Sequence, residues 1–387
     1  MNKSLLNKFD LFSLSLIGFA ILLSLYSLFF FISNKIYLIG SDAFYYISIA
    51  DSILQYGEIS DITDVSSRSV KTPQNGIAFV HVILSILGIG AKGRILTIVF
   101  INYFLYLSGV YPLYKVARWS GLRKGLPLAA LLSVYLGAWH IYRINLLAIN
   151  DGMFNSMMLW LVYLIMKFVL LINESMNKIK FNPDIMRIIG IALIVMISIH
   201  FRLNVILVIG SALFSSLVIK NYRLSAWLLS VCVLLVISFF AVYFFVEVSR
   251  LDGVFQRYFI PMFTSINLYS IKLQLWKILP RLVAGLSGLT NPLLTLLFTI
   301  FPLCMIFYGI KGLFDKDFNK VFISLICLTG LWFTMNFRNA RVIWYTFPFI
   351  YLILLENKKS RIFGYIFVLL VFVQSLQQFY IGYWRGP

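Results

Sequence analysis

The sequence predicts an all-α polytopic membrane protein with about eleven transmembrane helices, and three observations carry that prediction. The chain is 61% hydrophobic and only 12% charged, with a mean hydropathy of +0.90, whereas a soluble domain carries roughly a quarter charged residues. Its apolar runs are rich in Leu, Ile, Phe and Val and lack the period-two alternation of barrel strands, so they read as helices. The basic residues lie between those runs in a pattern that one topology explains.

In order, the spans are about 11–33, 95–114, 125–142, 152–171, 188–201, 204–219, 224–246, 286–310, 321–336, 342–356 and 362–383. The first is too long for the apolar core of a cleaved signal, and no small-x-small site follows it, so it reads as a retained anchor. The run 74–90 is ambiguous. It follows Pro73, contains His81, Gly88 and Gly90, and at about 17 residues sits at the lower limit for a crossing.

Loop charge decides its status. Suppose 74–90 does not cross and the N-terminus, with Lys3 and Lys8, is cytoplasmic. The inner loops then hold Lys115, Arg118, Arg123 and Lys124; Lys178, Lys180 and Arg187; Lys220 and Arg223; Lys311, Lys316 and Lys320; and Lys358, Lys359 and Arg361. Every inner loop is basic, as the positive-inside rule requires. A crossing by 74–90 would move all of those clusters outside. The expectation is therefore a re-entrant or surface-lying helix over 74–90, packed on protein rather than lipid. The chain reads as a single multi-pass domain, 1–387, of the cell's inner (plasma) membrane, with its C-terminus extracytoplasmic. Its two long outer loops are 34–94 and 247–285.

The net charge of +19 does not mark a nucleic-acid binder. The cations are scattered through short loops instead of being collected on one soluble face. Cys232, Cys304 and Cys327 lie inside apolar runs without metal spacing and read as packing residues. His81, His140 and His200 are far apart in the chain. There is no P-loop, no Gly-x-Ser-x-Gly and no dinucleotide fingerprint.

The first outer loop opens with a short amphipathic helix. Ser41 is a good N-cap and Gly57 a good stop, and between them Tyr46, Ala50, Ile53 and Leu54 recur at helical spacing. Asp42 lies in its first turn. The helix dipole favours an acid there, which is the plain structural account. The same dipole favours the ionised form, which makes Asp42 a candidate base or metal ligand. Asp151 is the other acid at a span end, where it also suits a cap of the following helix. Asp51, Glu58, Asp61 and Asp64 read as solvated.

The outer turns carry isolated cations. His200-Phe201-Arg202 sits between two short spans, Arg338 and Arg341 flank another span end, and Arg281 follows Pro280. Snorkelling is one account of such arginines. The other is an anionic head group, because arginine grips phosphate with a forked pair of donors. Tyr45 and Tyr46 flank the same polar turns; they suit an interfacial aromatic belt and also suit stacking on a sugar ring.

The segment Asp42-Ala-Phe-Tyr-Tyr, then Ala50 to Gly57, then Lys71-Thr72-Pro73-Gln74-Asn75-Gly76 leading into an apolar run, resembles the first extracytoplasmic loop of GT-C type membrane glycosyltransferases. The protein O-mannosyltransferases and the aminoarabinose transferases of lipid A are members of that group. Tyr142-Arg143 to Asp151-Gly152-Met153 resembles the group's second acidic position, and Arg338 to Pro348 its C-terminal Arg-aromatic-Pro pattern.

The resemblance implies an enzyme that takes a sugar from a polyprenyl-phosphate carrier on the outer side of the membrane. It passes the sugar to a glycolipid, polysaccharide or other acceptor, with inversion. Carried onto this chain, Asp42 is the catalytic residue. Arg202, Arg338 and Arg341 are the cations for the phosphate, with Asp151, Tyr45, Tyr46, His200 and Arg281 as further substrate contacts. Asp42 is followed by Ala43 and Phe44 rather than by a paired acid, so the reading favours no cofactor and no divalent metal. The partners are the lipid-linked donor, a glycan or lipid acceptor and membrane lipids. Two other readings stand beside it. One is a polymerase or ligase of polysaccharide repeat units; the other is a non-enzymatic flippase of a lipid-linked sugar. Charges at span ends rather than at the bilayer midplane count against the flippase.

Overall fold

A chain this apolar must satisfy its backbone hydrogen bonds internally, and the helix does so within one segment. The computed structural model describes residues 10–33, 41–57, 75–122, 125–137, 150–174, 181–202, 205–245, 307–315, 317–337 and 346–385. Among them every regular element is an α-helix: α1 (Leu11–Ser33), α2 (Ser41–Tyr56), α3 (Gly76–Ile86), α4 (Ala91–Ser108), α5 (Val110–Trp119), α6 (Leu126–Gly137), α7 (Asn150–Glu174), α8 (Phe181–Phe201), α9 (Val205–Val218), α10 (Tyr222–Phe245), α11 (Phe318–Phe337), α12 (Phe347–Glu356) and α13 (Arg361–Arg385). A further helical stretch covers 307–313.

Among the described residues, Leu11–Phe29, Ala91–Trp119 and Gly152–Leu170 are long and apolar enough to cross a membrane. Of the expected span 286–310, only 307–310 is described. The ambiguous run resolves into α3, whose 11 residues rise about 16 Å, half the roughly 30 Å of hydrocarbon. It is too short to cross by itself.

Several boundaries differ from the sequence reading. The helix expected over 95–114 begins at Ala91 and continues as α5 to Trp119 past Gly109. The helix expected from 188 begins at Phe181, because Pro183 falls in its first turn, where a missing N–H costs nothing. The span expected from 342 has its described helix from Phe347, with Pro348 supplying a helix-ready φ at the start.

The described residues gather into two compact units, one of Met1–Leu25, Leu113–Tyr142 and Tyr258–Pro387, the other of Tyr26–Pro112 and Arg143–Arg257. In the first, α6 packs on α12 and α13, and α12 on α11. A Cβ at Gly137 would stand 2.6 Å from the Phe372 ring, so glycine lets α13 approach closely, as small residues do at helix contacts in membranes. Phe372 also meets Phe19, with centroids 6.0 Å apart. Arg361 closes α12: its Nε donates to the Leu355 carbonyl at 2.9 Å and its Nη2 to that of Glu356 at 3.2 Å, satisfying acceptors that a helix end leaves over.

In the second unit α7 packs on α4 and α8, and α8 on α10. Trp160 Nε1 donates to Ser108 Oγ at 2.9 Å, and Tyr111 stacks on the Trp160 ring with centroids 5.9 Å apart. These contacts fix α7 at the junction of α4 and α5. Helices α9 and α10 form a hairpin closed by Ser216 and Ser225 hydroxyls 2.7 Å apart. Asn221 Oδ1 caps α10 by accepting the Leu224 N–H at 3.1 Å.

Candidate functional site

Helix α2 is the frame. It runs from Ser41 and ends at Gly57, whose φ of 70° is a left-handed conformation that glycine adopts without penalty. Ala43, Tyr46, Ile49 and Ala50 are buried, which is the stripe expected from the sequence extended by one turn. Leu54, assigned to that stripe, is exposed instead. Helical repeat puts Asp42 one turn before Tyr46 and two turns before Ile49. Its side chain lies outside the described residues. The Tyr45 and Tyr46 rings meet edge to face at 5.3 Å. Tyr46 is buried and Tyr45 half-buried, so Tyr46 serves as packing.

Helix α3 packs on α2, α4 and α8. The contact with α8 is made by its first residue: a Cβ at Gly76 would stand 2.8 Å from the Phe201 ring. Phe201 is buried and lies between His200 and Arg202. His200 Nε2 is 3.5 Å from Ser238 Oγ on α10. The Arg202 N–H donates to the Ser198 carbonyl at 2.9 Å, which ends α8 with a half-buried Arg202. The helix that carries Asp42 therefore packs on the helix that seats the His200–Arg202 turn.

Asp51 corrects the sequence reading. It is not merely solvated: Arg94 donates from Nη1 and Nη2 to Asp51 Oδ1, each at 3.2 Å. The Arg94 side chain is 7% exposed and that of Asp51 37%. The pair ties the second half of α2 to the start of α4. Beside it stands His81 of α3, fully buried, with neither ring nitrogen paired among the described residues. Burial, with the Arg94 charge adding, pushes its pKa down to about 4, so the ring is neutral at ordinary pH. None of Asp51, Arg94 and His81 stands out in the sequence as a set. Their separations of 30 and 13 residues fit no motif, and only the packing of α2, α3 and α4 brings them together.

Asp151 occupies the second position of α7, where a helix dipole favours an acid. Its side chain lies outside the described residues, as do Arg281, Arg338 and Arg341 altogether. Among the described residues no three His, Cys, Asp or Glu side chains gather as a metal set, and Asp42 has no paired acid in sequence.

No family model matches the chain, and no curated protein matches it. Solved structures do. The crystal structure of the Archaeoglobus fulgidus oligosaccharyltransferase in complex with Zn and sulfate superposes with a TM-score of 0.51 at 10% identity, over 93% of this chain and 52% of that one. The apo form of the same enzyme gives 0.50 at 12% identity, over 94% and 55%. The archaeal oligosaccharyltransferase AglB from Archaeoglobus fulgidus, in complex with an inhibitory peptide and a dolichol-phosphate, gives 0.50 at 10% identity, over 95% and 56%. This chain thus spans about half the length of the proteins it matches. At such identity the likeness is one of fold alone.

Proposed function

We propose that the chain is a membrane glycosyltransferase that moves a sugar from a polyprenyl-phosphate carrier to a glycolipid, polysaccharide or other acceptor on the extracytoplasmic side. The observation that carries the proposal is the likeness in fold over 93% of the chain, in a chain that holds Asp42 in the first turn of the helix after its first span.

The chemistry asks for few groups. The acceptor O–H gives its proton to Asp42 as its oxygen bonds the anomeric carbon from the face opposite the leaving group. The bond from that carbon to the phosphate oxygen breaks, and the carrier phosphate leaves with the electron pair, so the centre inverts. A positioned carboxylate contributes roughly 10²–10⁴-fold as general base. Arg202, Arg338 and Arg341 answer the charge that develops on the phosphate. Asp151, His200, Arg281 and Tyr45 complete the donor and acceptor contacts. Asp42 acts without a metal.

Purified protein in detergent, supplied with lipid-linked donor and acceptor, tests the reading. Asp42→Asn abolishes transfer at unchanged protein level; full activity in that variant removes Asp42 from the mechanism. A flippase transfers nothing in this assay. One further reading has an observation in its favour: the structural neighbours are oligosaccharyltransferases. On that reading the chain is a ligase or polymerase that transfers an assembled oligosaccharide. Product length separates the two, one sugar added or many.

A further inference from the structure

Within the unit that holds α11 to α13 lies a cavity of about 170 Å³. Three loops that the positive-inside pattern puts in the cytoplasm supply its walls: Ser120 from the end of α5, Lys311 and Asp315 before α11, and Glu356 from the end of α12, with Lys320 and Ser324 from α11. Two glycines clear space in it. A Cβ at Gly312 would collide with the Ser324 hydroxyl, and one at Gly121, where φ is +106°, would come within 3.1 Å of Glu356 Oε1.

The groups in this cavity are not all matched. Lys320 Nζ is 3.3 Å from Asp315 Oδ2, so that pair is neutral as a unit. Lys311 and Glu356 make no ion pair within 4.0 Å among the described residues, and Glu356, whose charge also reaches Lys320, keeps its carboxylate open to a further donor. Ser120 is 6% exposed, and its hydroxyl has no hydrogen-bond partner there. A buried hydroxyl left unpaired costs roughly 1–3 kcal/mol, which a bound polar ligand would recover. A purely anionic ligand would be repelled by Glu356, and a purely cationic one by Lys311. A zwitterion with a phosphate at one end and a primary ammonium at the other meets both.

Phe314 decides whether that zwitterion is free or lipid-borne. It sits between Gly312 and Asp315 and is 85% exposed, and Ile310 and Ile362 near the same loops are 47% and 69% exposed. Apolar side chains so placed at the ends of apolar helices belong at the boundary of head groups and acyl chains. We propose that the cavity binds the head group of a phosphatidylethanolamine lipid of the cytoplasmic leaflet. Lys311 and the Ser120 and Ser324 hydroxyls take the phosphate, and Glu356 takes the ammonium.

The test uses the full chain, delipidated in detergent, with lipid retention read by native mass spectrometry and thermal stability. Phosphatidylethanolamine is retained in preference to phosphatidylcholine, whose quaternary ammonium cannot donate a hydrogen bond, and to phosphatidylglycerol. E356Q weakens phosphatidylethanolamine about tenfold while phosphatidylglycerol holds or improves; K311Q weakens both. If E356Q loses monodispersity, S120A replaces it, with about threefold weakening expected. Equal retention of the three lipids, or an unchanged preference in E356Q and S120A, overturns the proposal. Free phosphoethanolamine that competes at the same concentration as the lipid overturns the lipid source.

Discussion

Both terminal nitrogens of Arg94 bond one carboxylate oxygen of Asp51, at 3.2 Å each, and join two helices separated by more than thirty residues of chain. The cation is almost wholly buried and the acid more than a third exposed. Solvent screening reduces the worth of such an acid, but removing it leaves a buried cation unpaired, which is the costly half of the exchange.

Asp51→Asn is expected to destabilise the protein by about 1–3 kcal/mol, less than a fully buried pair would give. Arg94→Gln should cost a similar amount. The double variant should cost less than the sum, because each single change already removes the pair. Thermal unfolding in detergent measures all three, and strict additivity would show that the two side chains do not interact.

His81 gives a pH dependence. Its pKa is about 4 in the folded protein and about 6.5 in an unfolded chain. The unfolded state therefore binds more protons between those values. Stability from this group is present above about pH 6.5 and is lost as pH falls toward 4, by up to about 3 kcal/mol. His81→Phe should flatten this part of the stability profile without loss at pH 7, since no described hydrogen bond is given up. A variant with the parent's pH slope would assign the slope to other groups.

Gly76→Ala forces the Phe201 ring, 2.8 Å from the new methyl, to move. Overpacking of this kind costs about 1–3 kcal/mol. Phe201→Leu should recover part of that loss in the double variant. Because Phe201 adjoins Arg202, transfer by Gly76→Ala should show a raised KM for the lipid-linked donor with a smaller change in kcat. Unchanged stability and kinetics would mean that α3 does not seat this turn.

Topology is tested without any activity. Reporter fusions near Lys220 and near Tyr269 should report opposite sides of the membrane, the first cytoplasmic. The same side for both would end the arrangement in which 74–90 stays on one side.

Among the described residues, most helix positions were legible in the chain. Gly57 stops α2 where its sequence says, and the run 74–90, at the lower limit of length for a crossing, is set aside by loop charge before its 11-residue helix is seen. These are local properties: apolar length, period and backbone preference act over a few turns. Boundaries shifted where one residue reset the start, as Pro348 did for α12. The candidate site was legible only in part. Asp42, Tyr45, Tyr46 and His200 announce themselves by standing in polar turns beside apolar spans. Asp51 does not, since an acid on the polar side of an amphipathic helix looks solvated until a partner is known.

What the sequence determined alone is that this chain lives in a membrane, as helices, with cations sorted between its loops; hydropathy and charge are summed over residues and need no neighbours. Tertiary structure decided which of those residues meet. The pairing of Asp51 with Arg94, the burial of His81 between α2 and α4, and the gathering of Ser120, Lys311 and Glu356 about one cavity depend on contacts across tens or hundreds of residues. Such contacts are fixed by how helices pack, where a single glycine such as Gly76 or Gly137 sets the approach, and no pattern along the chain encodes that distance.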